Sequence, residues 1–256
     1  CQRGAGGAGA AAGKAASPKA ASGARHSAFA VLSSPVLVAL MLCNGLSYFL
    51  TNCAKEWASV YLRSAGLATS DLQAATLLFW AEVGGSCGAV LVGFISSRLG
   101  GRHALTCMIS GSVSAAALTC MACCSYAALS TGGRPVPFVV ACVLQALSVA
   151  GMNGVRTLAG FHAAEVAAGI SAIGIANGWM EIVGQTGSVF AGQPVGALAS
   201  HVSARLGGPG QSLDASAGWV AVLGVLATAA WAMTLLNAAL LPQEGRRLAK
   251  LKAKVE

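Results

Sequence analysis

Residues Ala81–Arg102 read AEVGGSCGAVLVGFISSRLGGR. The stretch opens as an apolar helix carrying one acid, Glu82, with small residues Gly84, Gly85 and Gly88 at helical spacing. It closes on Gly93-Phe94-Ile95-Ser96-Ser97-Arg98-Leu99-Gly100-Gly101-Arg102. That ending suits a membrane helix stopping at a glycine-rich turn. The glycines let neighbouring helices nearly touch, and the arginines hold the turn at the cytoplasmic surface.

The composition agrees. Charged residues make up 9% of the 256-residue chain, against roughly 25% in soluble domains. Hydrophobic residues reach 55% and the mean hydropathy is +0.69. A soluble core needs no such excess, so the class is an integral membrane protein. The net charge of +8 does not point to nucleic acid, because the basic residues gather in the tails and short loops, a pattern of membrane orientation. Of the nine cysteines, most lie in apolar runs. Cys120, Cys123 and Cys124 have no His or acid beside them, and small polarizable core residues are the expected reading rather than a metal or redox site.

Residues 1–28 are rich in Ala, Gly and Ser with Lys14, Lys19 and Arg25. They lack the apolar surface to fold and are expected to be a disordered basic linker, with a transit peptide as the alternative. The chain begins at Cys1 rather than at a methionine, as expected of a piece of a longer protein. Residues 29–242 hold six apolar runs: from Ser33-Ser34-Pro35 to about Leu62, then Leu72–Ile95, Ala104–Leu129, Val136–Phe161, Ile173–Ser200 and Ala217–Leu241. Each exceeds the ~20 residues that cross ~30 Å of hydrocarbon. Ser34 and Pro35 form a helix start, and Pro242 is expected to end the last span before a basic cytoplasmic tail, 243–256. The expected fold is therefore all-α, with six transmembrane helices.

Charge orients them. Arg98, Arg102 and the tail Arg246, Arg247, Lys250, Lys252 and Lys254 share one side with the N-terminal Lys and Arg residues. The opposite loops carry only Arg63, Arg134 and Arg205, with Asp71 and Asp214. Both termini are expected in the cytoplasm. Glycine pairs four apart, Gly84/Gly88, Gly174/Gly178 and Gly192/Gly196, are expected to serve close helix packing.

A charge inside a span costs at least ~2.5–3.5 kcal/mol on insertion scales and so needs a reason. Lys55 and Glu56 lie about two turns from the non-cytoplasmic end, where snorkelling and a cavity role are both open. Glu82 lies roughly 15 Å into the second span. Arg156 and Glu181 fall in the cytoplasmic halves of the fourth and fifth spans, as a structural ion pair or as substrate contacts. His162 and Glu165 are expected near the hydrated cytoplasmic exit.

The turn after Gly93 resembles the loop signature of the major facilitator superfamily. Gly93, Arg98, Gly100 and Arg102 match it; Ser97 stands for the usual aspartate and Gly101 for a basic residue. Within that superfamily, Tyr48-Phe49-Leu50-Thr51-Asn52-Cys53-Ala54-Lys55-Glu56-Trp57 resembles the first helix of the C-terminal half of organophosphate:phosphate antiporters. Glu82-Val83-Gly84-Gly85, Gly160-Phe161-His162-Ala163-Ala164-Glu165 and Ala191-Gly192-Gln193-Pro194 fit the same family. Thr51 departs from it, standing where the family has a substrate-binding cation. The resemblance implies one half of a carrier built from two inverted three-helix repeats. The other six-helix half would lie outside this chain, and sugar phosphate or glycerol 3-phosphate would exchange for inorganic phosphate by alternating access. Lys55, one turn from Thr51, is expected to supply the missing cation, with Arg156 and Glu82 as further substrate contacts. Gly93, Arg98, Gly100 and Arg102 would form the gate.

No nucleophile–base set or metal cluster suggests an enzyme, and no cofactor is expected. The implied partners are the bilayer and a small phosphorylated solute, in the endoplasmic reticulum, a plastid or the plasma membrane. A carrier for an uncharged or cationic solute, tolerant of Thr51, is the first alternative, and a non-transporting scaffold the second. The orientation is testable by labelling single cysteines placed at Gly101 and Gly132. An impermeant reagent added to intact cells is expected to reach position 132 and not 101, and the reverse pattern overturns the topology.

Overall fold

The computed structural model describes residues 28–64, 70–131, 137–170, 172–206 and 214–253. The expected linker therefore falls almost wholly outside the described residues, as do the Gly132-Gly133 and Gly207–Gly210 breaks. Every described element is a helix: α1 Pro35–Glu56, α2 Ala58–Ser64, α3 Asp71–Arg98, α4 His103–Thr131, α5 Phe138–Ala168, α6 Ile173–Ala191, α7 Gln193–Leu206 and α8 Asp214–Lys252. Five of these (α1, α3, α4, α5 and α8) are long and apolar enough to cross a membrane. The protein is an all-α, multi-pass membrane type.

The helix starts follow local chemistry. Ser34 accepts a hydrogen bond from Leu37 N with Pro35 in the first turn, and Ser70 accepts one from Gln73 N at the head of α3. Each serine satisfies an orphan amide that no lipid could. Three boundaries differ from the sequence reading. The first run breaks at Trp57 into α1 and the short α2. The fifth is split at Gly192, whose ψ of −115° leaves the helical region, just before Pro194. Val195 N bonds Gly192 O at 3.2 Å rather than the carbonyl of Ala191. The freed carbonyl of Ala191 accepts instead from Trp57 Nε1 at 2.7 Å and faces Cys53 Sγ at 3.7 Å. The last helix passes through Pro242 and runs on to Lys252, so most of the expected tail is helical.

α1 packs on α5, α6 and α8; α3 packs on α5; α4 lies between α5 and α8; α7 rests on α8. One apolar cluster, with Leu50, Leu77, Leu118, Met152 and Trp219, fills the half toward α2 and α7. A second, with Leu37, Leu40, Ala104, Ala163, Met180 and Leu240, fills the half holding the α3–α4 turn.

Of the glycine pairs expected to serve close packing, Gly84/Gly88 does so and Gly174/Gly178 does not. Gly93 has open space where a side chain would stand, and so do Gly174 and Gly178. Instead, a Cβ at Gly84 would lie 2.6 Å from Ala146 O, and one at Gly88 2.3 Å from Ala150 O, so α3 closes on α5 rather than on α4. On the other flank a Cβ at Gly187 would lie 2.2 Å from Gly45 O, which brings α6 onto α1. Gly100 and Gly101 touch nothing, and they are needed for their φ values of 71° and 76° in the turn. Gly88→Leu is accordingly expected to destabilise by at least about 1–3 kcal/mol, whereas Gly93→Leu leaves stability unchanged. Thermal unfolding in detergent checks this, and equal tolerance of the two substitutions contradicts it.

Candidate functional site

Lipid-facing apolar residues cover most of the outside of the bundle, and the intramembrane charges gather on α1, α3, α5 and α6. Two polar stations result. The first centres on Tyr48 of α1, whose ring is buried. Arg156 of α5 stacks its guanidinium 3.7 Å from the centroid of that ring and donates to the Tyr48 hydroxyl. The hydroxyl donates to Glu181 Oε2 of α6 at 3.0 Å, and Gln185 Nε2 donates to Glu181 Oε1 at 2.7 Å. Arg156 and Glu181 are thus joined, as the sequence suggested, but through a tyrosine. Asn44 Nδ2 donates to Met180 O at 2.7 Å, and Asn52 pairs with Ser188. These side chains pin α6 to α1 along the Gly45–Gly187 contact.

The second station lies two helical turns along α1. Lys55 Nζ meets Glu82 Oε1 of α3 at 2.7 Å, with side chains 34% and 55% exposed. Glu82 is therefore not a solitary buried acid, and Lys55 is not a free cation. Thr51, expected on the face of Lys55, is 2% exposed and its hydroxyl has no hydrogen-bond partner. It lies inside the bundle. Glu56 stays exposed, close to the Gly192 break.

At the other end the α3–α4 turn is held by groups other than its arginines. Arg98 lies back over the Phe94 ring at 4.9 Å, and Arg102 is exposed. Gly101 N bonds Ser96 O at 2.9 Å, and Ser96 Oγ bonds His103 Nδ1 at 2.9 Å. His103 Nε2 faces Glu165 Oε1 of α5 at 3.3 Å, while Arg247 of α8 holds Glu165 Oε2 at 2.7 Å. Glu244 Oε1 accepts from Ala104 N at 2.8 Å, an acid capping an orphan amide at a positive helix end. His162 is 3% exposed, so it does not sit in a hydrated exit; its ring lies 6.0 Å from that of His103. Cys120, Cys123 and Cys124, expected in the core, are exposed on α4.

Tyr48, Gln185, His103 and Glu244 went unread in the sequence. A tyrosine seven residues before Lys55 and a glutamine four after Glu181 were the available signals, since both spacings keep a residue on its neighbour's face. The sequence matches no model of a known protein family and none of the curated proteins with which it was compared.

An unpaired cation in apolar surroundings is costlier than its removal. Glu82→Gln alone is expected to destabilise more than the double exchange Lys55→Met with Glu82→Gln, by roughly 1 kcal/mol. Unfolding of the single and double variants measures the difference. Simple additivity of the two exchanges discards the pair as a structural element.

Proposed function

We propose that this chain is half of a major facilitator carrier, with six crossings arranged as two inverted three-helix repeats. In this reading α6 and α7 together make the fifth crossing, broken at Gly192. One observation supports it above the others: the main helix contacts map onto one another when α1, α3 and α4 are exchanged for α5, α6–α7 and α8. The α3–α5 contact becomes the α6–α1 contact, and each of the two carries a glycine-backed close approach. The α4–α8 and α1–α5 contacts map onto themselves. Three crossings per repeat is an odd number, so the repeats are inverted. A missing partner half would face the two polar stations, completing a cavity.

The solute proposed is a sugar phosphate or glycerol 3-phosphate, exchanged for inorganic phosphate by alternating access. Arg156 is the better-prepared anion ligand: the Tyr48 ring orients its guanidinium, and Glu181 reaches it only through the hydroxyl. Lys55 would join when a phosphate oxygen displaces Glu82. Gly93 has no neighbour in this chain, which leaves room for the facing half at the gate, beside Arg98, Gly100 and Arg102.

A second reading, a carrier for a neutral or cationic solute, is favoured by the balance of charge. Lys55 has Glu82, Arg156 has Glu181 across Tyr48, and Glu56 is left over. Proteoliposomes holding the full-length protein and inorganic phosphate separate the two readings. Arg156→Ala is expected to cut uptake of labelled glucose 6-phosphate or glycerol 3-phosphate by about tenfold or more, the loss of a charge-assisted bond, and Arg156→Lys to keep part of it. Normal uptake by Arg156→Ala refutes the assigned site. Uptake of a neutral sugar with none of the phosphate ester replaces the first reading with the second.

A further inference from the structure

Between the α3–α4 turn and the end of α8 lies an open groove of about 760 Å³. Its floor is made by Leu99, Leu105, Leu241 and Leu248, and Arg102 stands at its edge. On α8 the lining residues 241, 244, 245, 248 and 249 follow one helical face, which exists there only because the helix continues past Pro242. The one acid in the lining, Glu244, is buried and bonded to Ala104 N. That bond holds the carboxylate at the positive head of α4, which offsets part of its repulsion of an anion in the groove. Arg247 is committed to Glu165. Arg102 and Arg246 are exposed and form no ion pair among the described residues.

We infer that this groove binds an anionic phospholipid, its acyl chain on the leucines and its phosphate at Arg102. Four leucines serve no purpose for a small hydrophilic anion, and an exposed arginine without an ion-pair partner among the described residues serves none for a neutral lipid. The combination matches a molecule with one apolar and one anionic end. The groove lies where α3 ends and α8 leaves its apolar segment, the level at which headgroups lie. Basic pockets at that level take acidic headgroups, at about 1 kcal/mol per cation near the surface. The inference depends on the membrane architecture and not on what the protein carries.

Native mass spectrometry of the full-length protein tests it, with dioleoyl phosphatidylglycerol against dioleoyl phosphatidylcholine as probes. Wild type is expected to retain phosphatidylglycerol preferentially. The exchange Arg102→Gln should lower that preference by roughly fivefold. A second variant separates the groove from general attraction to a basic tail. A side chain at Gly245 meets nothing within 4 Å, so Gly245→Phe fills the groove without changing charge or crowding the helix. It is expected to lose the retained lipid as well. An unchanged preference in Gly245→Phe overturns the groove as the site, and an unchanged preference in the arginine variant overturns the headgroup contact. Displacement of the lipid by free glycerol 3-phosphate at equal concentration reassigns the groove to a small phosphate.

Discussion

Two near-contacts between backbones, α3 on α5 and α6 on α1, determine where the polar stations of this protein stand. Lipid tails are as apolar as leucine, so helices in a bilayer gain little by hiding apolar surface from one another. They associate by dispersion and by close approach. Gly84 and Gly88 put α3 against the Ala146 and Ala150 backbone, and that lock sets Glu82, two residues earlier, opposite Lys55. Gly45 and Gly187 do the same for α1 and α6. Tyr48, one turn beyond Gly45, then meets Glu181 and Arg156. Each polar station is thus a consequence of a glycine contact beside it. A larger residue at either contact would part the ion pair as well as the helices.

That dependence explains what could be read from the sequence and what could not. The apolar runs, the Ser34-Pro35 start and the concentration of basic residues are local facts, and the helices follow them. Which face of a helix looks inward is not local. In a soluble helix, apolar periodicity marks the core side, but α3 is apolar all round, because lipid and protein ask for the same side chains. The four-residue spacing of Gly84 and Gly88 marks a packing face, but nothing local names α5 as the helix it meets. The same blindness hid that Thr51, one turn from Lys55, is buried within the bundle, and put the α4 cysteines in the core when they are exposed. Arg156 and Glu181 could be paired in advance because a charge in a span must be answered. The tyrosine between them carries no charge and raised no such demand.

Proline misled in both directions. At Gly192-Gln193-Pro194 it coincides with a broken helix, and the freed carbonyl of Ala191 is recovered by Trp57 from α1. At Pro242 the helix survives, because a single lost amide bond is tolerable when the residues beyond it have work to do. Those residues are Glu244, which caps α4, and Arg247, which binds the same Glu165 that His103 reaches. The end of α8 is therefore a clasp across the α3–α4 turn. Its acids come from α5 and α8, not from the turn itself.

The two stations are about 10 Å apart along α1, at two helical turns, and each is neutral as it stands. This matters for any solute that enters. An empty cavity lined by bare cations would carry a large desolvation cost with no ligand to offset it. Pairing Lys55 with Glu82, and Arg156 with Glu181 through Tyr48, avoids that cost in the resting protein. An entering anion must then displace a carboxylate, so its net gain is a difference between two similar interactions. Such a site binds weakly and releases readily, as a carrier requires and a storage site does not. The displaced acid has to be received somewhere, and the described residues offer Gln185 to Glu181 but nothing comparable to Glu82. In the carrier proposed above, the second station is the one whose chemistry calls for a contribution from a facing half.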